Sequence, residues 1–282
     1  MKMQIYLLLF VACLTGISNA TVLVHYNFDD ISGTTVTDTA SGLYDATLGS
    51  YSQTGQTGSY TTVGAGKYDD GIGFYSSNGS GSGGWALADT APVLGRSFTF
   101  SFWINTDRWT NSAWATYAVA ASGAKMVIYS NTDAGVGTGL TARLYDYSAT
   151  DAIPCVTSKL ATMGVNAESN VWHHVAAVVT DLADITLYVD GVQYLSGSST
   201  SGYGAGTANM DGLKLGGRFG ANGSNNKYVS GSMDDFAIFD TALNAEQIAD
   251  IYESSMPIPE PATMCLLACG LAMVSSRKNG KK

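Results

Sequence analysis

Residues 97–106, SFTFSFWINT, limit the possible fold more strongly than any other stretch of this chain. Large apolar side chains alternate with smaller or more polar ones, which is the two-residue period of a β-strand. The two faces predicted by this alternation are Phe98, Phe100, Phe102 and Ile104 on one side, and Thr99, Ser101 and Trp103 on the other. Because neither face is charged, the segment is predicted to be an interior strand of a β-sandwich.

Other segments predict further strands joined by tight turns. Residues 184–197 hold Asp190-Gly191 between two alternating runs, which is the strongest short signal for a β-hairpin. The remaining strands are predicted at residues 22–28, 171–180, 213–219 and 231–240. The 33 glycines and 16 tyrosines suit such an architecture, and the chain is assigned to the all-β class.

One amphipathic helix is predicted near the end of the body, at residues 241–254. Ile248 and Ile251 belong to its apolar stripe, and Asn244 with Gln247 forms a capping-box pattern. We find no internal repeat and no second core. Residues 21–256 are therefore predicted to form one domain.

The chain carries 14 lysine and arginine residues against 23 aspartate and glutamate residues, a formal net charge of −9. Nucleic acid binding requires clustered basic residues, and the body has no such cluster, so a nucleic acid partner is not expected. Cys155 is the one cysteine between the two terminal segments. The body is therefore expected to have no internal disulfide.

The first residues, 1–20, have the three parts of a secretory signal peptide. Lys2 precedes an apolar run at residues 5–14, and small residues lead to Ala20. Signal peptidase is expected to cleave after Ala20. The alternatives are a first core helix and a lipid attachment at Cys13.

The last residues, 257–282, contain an apolar run of 13 residues at 262–274, shorter than the roughly 20 residues of a membrane-spanning helix. Basic residues follow the run directly, and such residues hold a chain end on the cytoplasmic side of a membrane. The alternative, a globular terminal helix, fits poorly with Gly270 and the charged end.

Several segments, in order, resemble laminin-G-like, concanavalin A-like domains. The matching segments are YNFDDISGTTVTDTASGLYDATL, SFTFSFWINT, NVWHHVAAVVTDLADITLYVDGVQ and GSMDDFAIFDTALNAEQIADIY, within residues 22–253. The resemblance implies a jelly-roll sandwich of two antiparallel sheets with a short C-terminal helix.

The tail resembles the PEP-CTERM sorting signal of Gram-negative bacteria, through Pro259, Glu260 and Pro261, the short apolar run and the basic end. The resemblance implies a separate hydrophobic sorting helix that holds the chain in the inner membrane until an exosortase-type enzyme cleaves near the motif. The expected location is the cell envelope, the cell surface or the extracellular matrix.

The family resemblance also implies a structural calcium ion between the end of the first strand and the last strand. Carried over to this sequence, its ligands would be Asp234, Asp29, Asp30 and Asp70. Calcium prefers oxygen ligands, and Asp234 lies in an otherwise apolar strand where a carboxylate needs a partner. The alternative is that these acids are exposed and cap turns.

No catalytic constellation is recognised. Related laminarinase-type enzymes carry Glu-x-Asp-x-x-Glu on one strand, and this motif is absent. His173 and His174 are adjacent on a predicted strand, so their side chains point to opposite faces and cannot easily hold one ion. His174 matches the core histidine of the family.

Aromatic side chains beside polar ones are typical of sugar sites. Such residues follow the central strand and recur further along the chain, and a glycan groove is predicted from Trp109, Trp114, Tyr117, Asn111, Tyr145 and Tyr147. The leading hypothesis is a non-catalytic module that binds carbohydrate, either the cell's own exopolysaccharide or an environmental glycan. The alternatives are a structural or adhesive protein with a protein partner, and a glycan-processing enzyme.

Overall fold

A computed structural model of the protein describes residues 20–52, 55, 57–76, 82–106, 115–121, 124–131, 139–146, 152–159, 170–198, 212–217 and 228–254. The predicted signal peptide before Ala20 and the sorting tail after residue 256 lie outside these residues. The strands, numbered in chain order, are β1 (Val22–Tyr26), β2 (Thr35–Val36), β3 (Ala46–Tyr51), β4 (Gly58–Val63), β5 (Gly71–Ser76), β6 (Gly83–Ala88), β7 (Phe98–Asn105), β8 (Ala115–Ala121), β9 (Ala124–Asn131), β10 (Gly139–Asp146), β11 (Ala152–Lys159), β12 (Trp172–Thr180), β13 (Asp184–Val189), β14 (Val192–Ser198), β15 (Gly212–Leu215) and β16 (Gly231–Phe239). They are followed by the helix α1 (Ala245–Glu253).

The strands form two eight-stranded antiparallel sheets. Sheet I has the order β14-β13-β12-β7-β16-β5-β4, and β1 pairs with β16 beside this path. Sheet II has the order β11-β10-β9-β8-β15-β6-β3-β2. The predicted interior strand is β7, which pairs with β12 on one side and β16 on the other. The sandwich prediction is therefore confirmed.

The main core lies between the two sheets. From β7, the side chains of Phe98, Phe100 and Phe102 point into it and are fully buried. Sheet II contributes buried residues that include Ile128 and Leu140. Burial of these apolar side chains supplies the main force that holds the two sheets together.

The opposite side of sheet I, which we call the outer face, is partly covered by α1. Ile248 and Ile251 of the helix pack on a small second core that includes Val178 and Phe239 of the sheet. Thr99 is buried at this junction, where its Oγ1 accepts a hydrogen bond from the backbone N–H of Leu243 at 3.0 Å. Thr99, on this face of β7, therefore lies beneath α1 and the segment that leads into it.

Local signals in the sequence agree with the structure at two places. Asp190 and Gly191 join β13 to β14 with φ values of 51° and 76°, the left-handed backbone that a tight hairpin turn requires. Asn244 caps α1, and Gln247 completes the predicted capping box. The predicted strand at 213–219 is shorter, since β15 ends at Leu215. In the described part of the chain, no helix has the length and apolar character to cross a membrane.

A β-bulge interrupts β16 between Asp234 and Ala237. Asp235 has a left-handed backbone with φ of 47°, so one extra residue is accommodated. Phe236 therefore points into the core, whereas Asp234 lies on the outer face opposite Trp103. Because of the bulge, the carboxylates of Asp234 and Asp235 both lie outside the main core, although β16 is otherwise largely apolar.

Candidate functional site

The outer face of sheet I is divided into three bands along the strands. The first band is the second core beneath α1. The second band is centred on Trp103 and Asp234, which are paired across β7 and β16. The third band lies two residues further along each strand, where Asn105 pairs with Ser232. The first two bands are covered and the third is open.

The loop at residues 64–70, between β4 and β5, covers the second band. Lys67 places its Nζ 4.1 Å from the centre of the Trp103 ring, and Tyr68 meets that ring edge-on at 6.0 Å. Tyr252 of α1 stacks on the Trp103 ring, and the two ring centres are 5.5 Å apart. Trp103 is consequently buried although it points away from the main core.

Asp234 is buried and holds this loop through its carboxylate. Its Oδ2 accepts a hydrogen bond from the backbone N–H of Tyr68 at 3.0 Å, and its Oδ1 accepts one from Asp235 at 2.8 Å. Burial raises the pKa of Asp234 to about 7, and the charge of Asp235 raises this pKa further, against the lowering effect of the backbone donors. Gly66 passes so close that a methyl group there would lie 2.6 Å from Oδ2 of Asp234.

The other acids predicted as calcium ligands lie beside this loop. Asp29 accepts a hydrogen bond at its Oδ1 from the backbone N–H of Asp70 at 3.0 Å, and Asp30 is exposed. Burial raises the pKa of Asp29, and the charges of Asp69 and Asp235 raise it further against the backbone donor. These carboxylates therefore repel one another.

Some features of this acidic cluster suit a calcium ion and others do not. Oxygen donors and crowded negative charge suit the ion. Both oxygens of Asp234, however, are engaged by backbone N–H groups, whose positive ends face where a cation would approach. Among the residues that the structure describes, no three His, Cys, Asp or Glu side chains come close enough to share a metal.

The open third band forms a groove, which we call the outer groove, with a volume of about 330 Å³. Paired residues share a face of the sheet, and the groove follows such a row across four strands. In order across the sheet, the row consists of Asn105, Ser232, Gly73 and Thr61. At about 4.8 Å between strands, the row is ~14 Å long.

The side chains of the outer groove suit hydrogen bonding and stacking. Tyr75 is 42% exposed and lies beside Gly73, whose missing side chain keeps the floor low. Asn105, Asn170 and Ser232 also line the groove. Within the described residues, no hydrogen bond engages these polar side chains or the Tyr75 hydroxyl.

The loop residues predicted as a glycan site lie largely outside the described residues. Trp109, Asn111, Trp114 and Tyr147 fall in segments that are not described. Tyr117 and Tyr145 belong to β8 and β10, and their side chains are not described. This prediction therefore stays a prediction.

The outer groove was not predicted from the sequence, although the alternation in one strand indicates part of it. The alternation of residues 97–106 places Asn105 on the same face as Thr99 and Trp103, one step beyond the residues that we assigned. The other members, Thr61 and Ser232, reach Asn105 only through pairing of strands distant in the chain.

The two adjacent histidines of β12, His173 and His174, point to opposite faces of sheet I, as the sequence predicted. His173 faces the side opposite His174, and its Nδ1 lies 2.8 Å from Oδ2 of Asp190. Asp190 also accepts a hydrogen bond from the backbone N–H of His174 at 2.9 Å. These contacts tie β12 to the β13–β14 turn.

The laminin G family model, described as the concanavalin A-like lectin/glucanases superfamily, matches residues 78–249. This match covers more than half of the chain. The protein belongs to the concanavalin A-like lectin/glucanases superfamily. A comparison with curated protein sequences finds no match.

Solved structures with this superfamily fold share little sequence with the chain. Domain 4 of AbnA, a GH43 extracellular arabinanase from Geobacillus stearothermophilus in complex with arabinotriose, has a TM-score of 0.56 and 19% identity, over 83% of this chain and 100% of that domain. The binding domain of botulinum neurotoxin DC in complex with rat synaptotagmin II has a TM-score of 0.58 and 14% identity, over 84% of this chain and 52% of that chain.

A third structure is a botulinum neurotoxin type C, whose cell entry depends upon interaction with two ganglioside molecules. It has a TM-score of 0.57 and 15% identity, over 84% of this chain and 51% of that chain. The chain thus spans about half the length of the neurotoxin structures. At such identities these similarities show the concanavalin A-like fold alone.

Proposed function

We propose that this protein is a non-catalytic module that binds carbohydrate in the outer groove. The observation that carries the proposal is the open row on sheet I, in which Tyr75 lines the same groove as the Asn105 amide and the Ser232 hydroxyl, neither of which is hydrogen-bonded to a described residue. A sugar ring presents hydroxyls for such groups and an apolar face for an aromatic ring.

Two similar folds support a glycan as the ligand. The AbnA domain was captured with arabinotriose, and the type C neurotoxin depends on ganglioside molecules. A hydrolytic role is less well supported, because glycoside hydrolysis requires two facing carboxyl groups. None of the described residues that line the outer groove is an aspartate or a glutamate.

The test is binding of the purified full-length protein to a glycan array, followed by calorimetry on the strongest hit. Asn105→Ala and Tyr75→Ala should each weaken binding by about 3- to 10-fold, as expected for one hydrogen bond or one stacking contact. Thr61→Ala should weaken binding less.

A matched control for Thr61 is its neighbour in β4, since Thr62 is also exposed but points to the other face. Thr62→Ala should bind like the wild type. A folded protein that binds no glycan, or that binds one unaffected by these groove substitutions, would contradict the proposal. Binding to an envelope protein instead would favour the adhesive alternative.

We also propose a calcium ion at the acidic cluster, held by Asp29 and Asp70 rather than centred on Asp234. Support comes from the crowding of carboxylates around Asp29, whose pKa is raised first by burial and then by the charges of Asp69, Asp235 and Asp70, and a cation would relieve this repulsion. A bound ion would stabilise the folded chain by a free energy that grows with the logarithm of its concentration above the dissociation constant.

We infer further that the protein is exported and sorted to the cell envelope by an exosortase-type enzyme. Support comes from the sequence alone, through the signal-like residues 1–20 and the Pro259-Glu260-Pro261 tail. The test is expression in a host with and without an exosortase system. Deletion of residues 259–282 should abolish retention in the envelope without unfolding the body, whereas aggregation of the truncated chain would show that the tail is part of the fold.

A further inference from the structure

The described lining of the outer groove is uncharged. It consists of threonines, serines, asparagines, glycines and two aromatic residues. Not one of these residues is an aspartate, glutamate, lysine, arginine or histidine. From this part of the lining, a ligand meets neutral donors and acceptors.

The nearest charged neighbours along the strands are mostly acidic. Asp234 stands two residues from Ser232 on the same face of β16, or about 7 Å along the strand. Asp29, Asp70 and Asp235 gather around it. Beyond the groove, the whole chain has a formal net charge of −9.

Among the described residues beside the groove, Lys67 is already engaged. It holds its ammonium group 4.1 Å from the centre of the Trp103 ring. An acidic sugar in the outer groove would therefore lose part of its hydration without gaining an ion pair from the lining. It would also be repelled by the acids of the second band.

We propose that the outer groove selects neutral oligosaccharides and rejects those that carry carboxylates, such as uronic acids and sialylated sugars. This inference rests on the proposed function, because it specifies the ligand class of the same groove. A neutral sugar satisfies the amides and hydroxyls and places its apolar face on Tyr75. Its affinity has no electrostatic component to be screened by salt.

The experiment uses the full-length protein and paired probes that differ in a carboxylate. The pairs are a galacturonan oligosaccharide with its fully methyl-esterified form, and a sialylated glycan with its desialylated form. We expect the carboxylate member of each pair to bind at least about tenfold more weakly. The affinity for the neutral member should be the same at about 20 mM and about 500 mM NaCl.

Two lysine variants on adjacent residues test the cause. Thr61→Lys adds a cation to the groove row and should increase the affinity for the acidic probe by about two- to fivefold. Thr62→Lys adds the same charge on the other face of β4 and should leave that affinity unchanged. Both threonines are exposed, so neither change should disturb the core.

The possible failures can be told apart. Acidic probes that bind as tightly as their neutral partners, and that lose binding in Asn105→Ala, would overturn the neutral selectivity and leave glycan binding in place. A folded protein that binds no member of the panel would overturn both proposals.

Discussion

The Nε2 atom of His174 lies 2.8 Å from the Oγ atom of Ser101, and both side chains are buried on the outer face of sheet I. The other ring nitrogen, Nδ1, has no hydrogen-bond partner among the described residues. We therefore assign the proton to Nε2, because an orphan N–H group is rarer in proteins than an orphan acceptor. The imidazole is neutral in the folded protein.

This arrangement predicts a loss of stability in acid. Burial lowers the pKa of His174 to about 4, with a further lowering from Lys67 set against the opposing charge of Asp190. The unfolded chain has a histidine pKa of about 6.5, so between these values it binds more protons than the folded protein. The contribution is complete above about pH 6.5 and falls as pH drops towards 4, by up to ~1.4 kcal/mol per pH unit.

The measurement is denaturant unfolding of wild type and His174→Gln between about pH 4.5 and pH 7.5. Glutamine keeps a donor for Ser101 but does not titrate, so the difference in stability between the two proteins should shrink as the pH falls. A difference that is independent of pH would contradict the assignment.

The calcium proposal predicts a thermal shift that depends on Asp29. The wild type should melt at a higher temperature in calcium than in a chelator, because a ligand that binds only the folded state stabilises it. Asp29→Asn should remove most of this difference. Equal melting temperatures of the wild type in both conditions would exclude the ion.

Asp234→Ala should behave differently from Asp29→Asn. Loss of the Asp234 carboxylate removes the acceptor of the Tyr68 N–H and releases the loop at residues 64–70. The free energy of unfolding should therefore fall by about 1–3 kcal/mol, with or without calcium. Differential scanning calorimetry in both buffers gives the two values. A destabilisation confined to the calcium buffer would instead identify Asp234 as a ligand.

Two glycines of the same loop predict opposite outcomes when changed to alanine. At Gly66 a methyl group would lie 2.6 Å from Oδ2 of Asp234 and closer still to the carbonyl oxygen of Asp70. Gly66→Ala should therefore cost about 1–3 kcal/mol of stability. At Gly64 the nearest atom is Oδ1 of Asp70 at 3.8 Å, an ordinary contact, so Gly64→Ala should be neutral.

Equilibrium unfolding in urea measures both variants. The slope of unfolding free energy against urea should be unchanged, since neither substitution alters the surface exposed on unfolding. Two variants of equal stability would show that the loop moves away from Asp234 without penalty.

The features that were predicted correctly from the sequence depend on residues close together along the chain. The alternation in β7, the hairpin at Asp190-Gly191 and the capping box of Asn244 and Gln247 are local patterns, and each is present in the structure. The buried position of His174 was implied by the family resemblance, and the alternation of its strand predicted only that it faces away from His173.

The outer groove could not be predicted in the same way. Thr61 and Ser232 come from strands 171 residues apart in the chain, and only the order of sheet I places them in one row with Asn105. The bulge at Asp235 likewise lies where the neighbour of β16 changes from β5, which pairs up to Met233, to β1, which pairs from Phe236 onward. Neither feature leaves a periodic signal in sequence.

The division of sheet I into covered and open bands separates folding from recognition. The residues that hold the sandwich together point inward or lie beneath α1 and the loop at 64–70. The open row, from Asn105 to Thr61, adds little to either core. Its side chains can therefore be exchanged for others at small thermodynamic risk, and the same scaffold can acquire new ligands over evolutionary time without refolding.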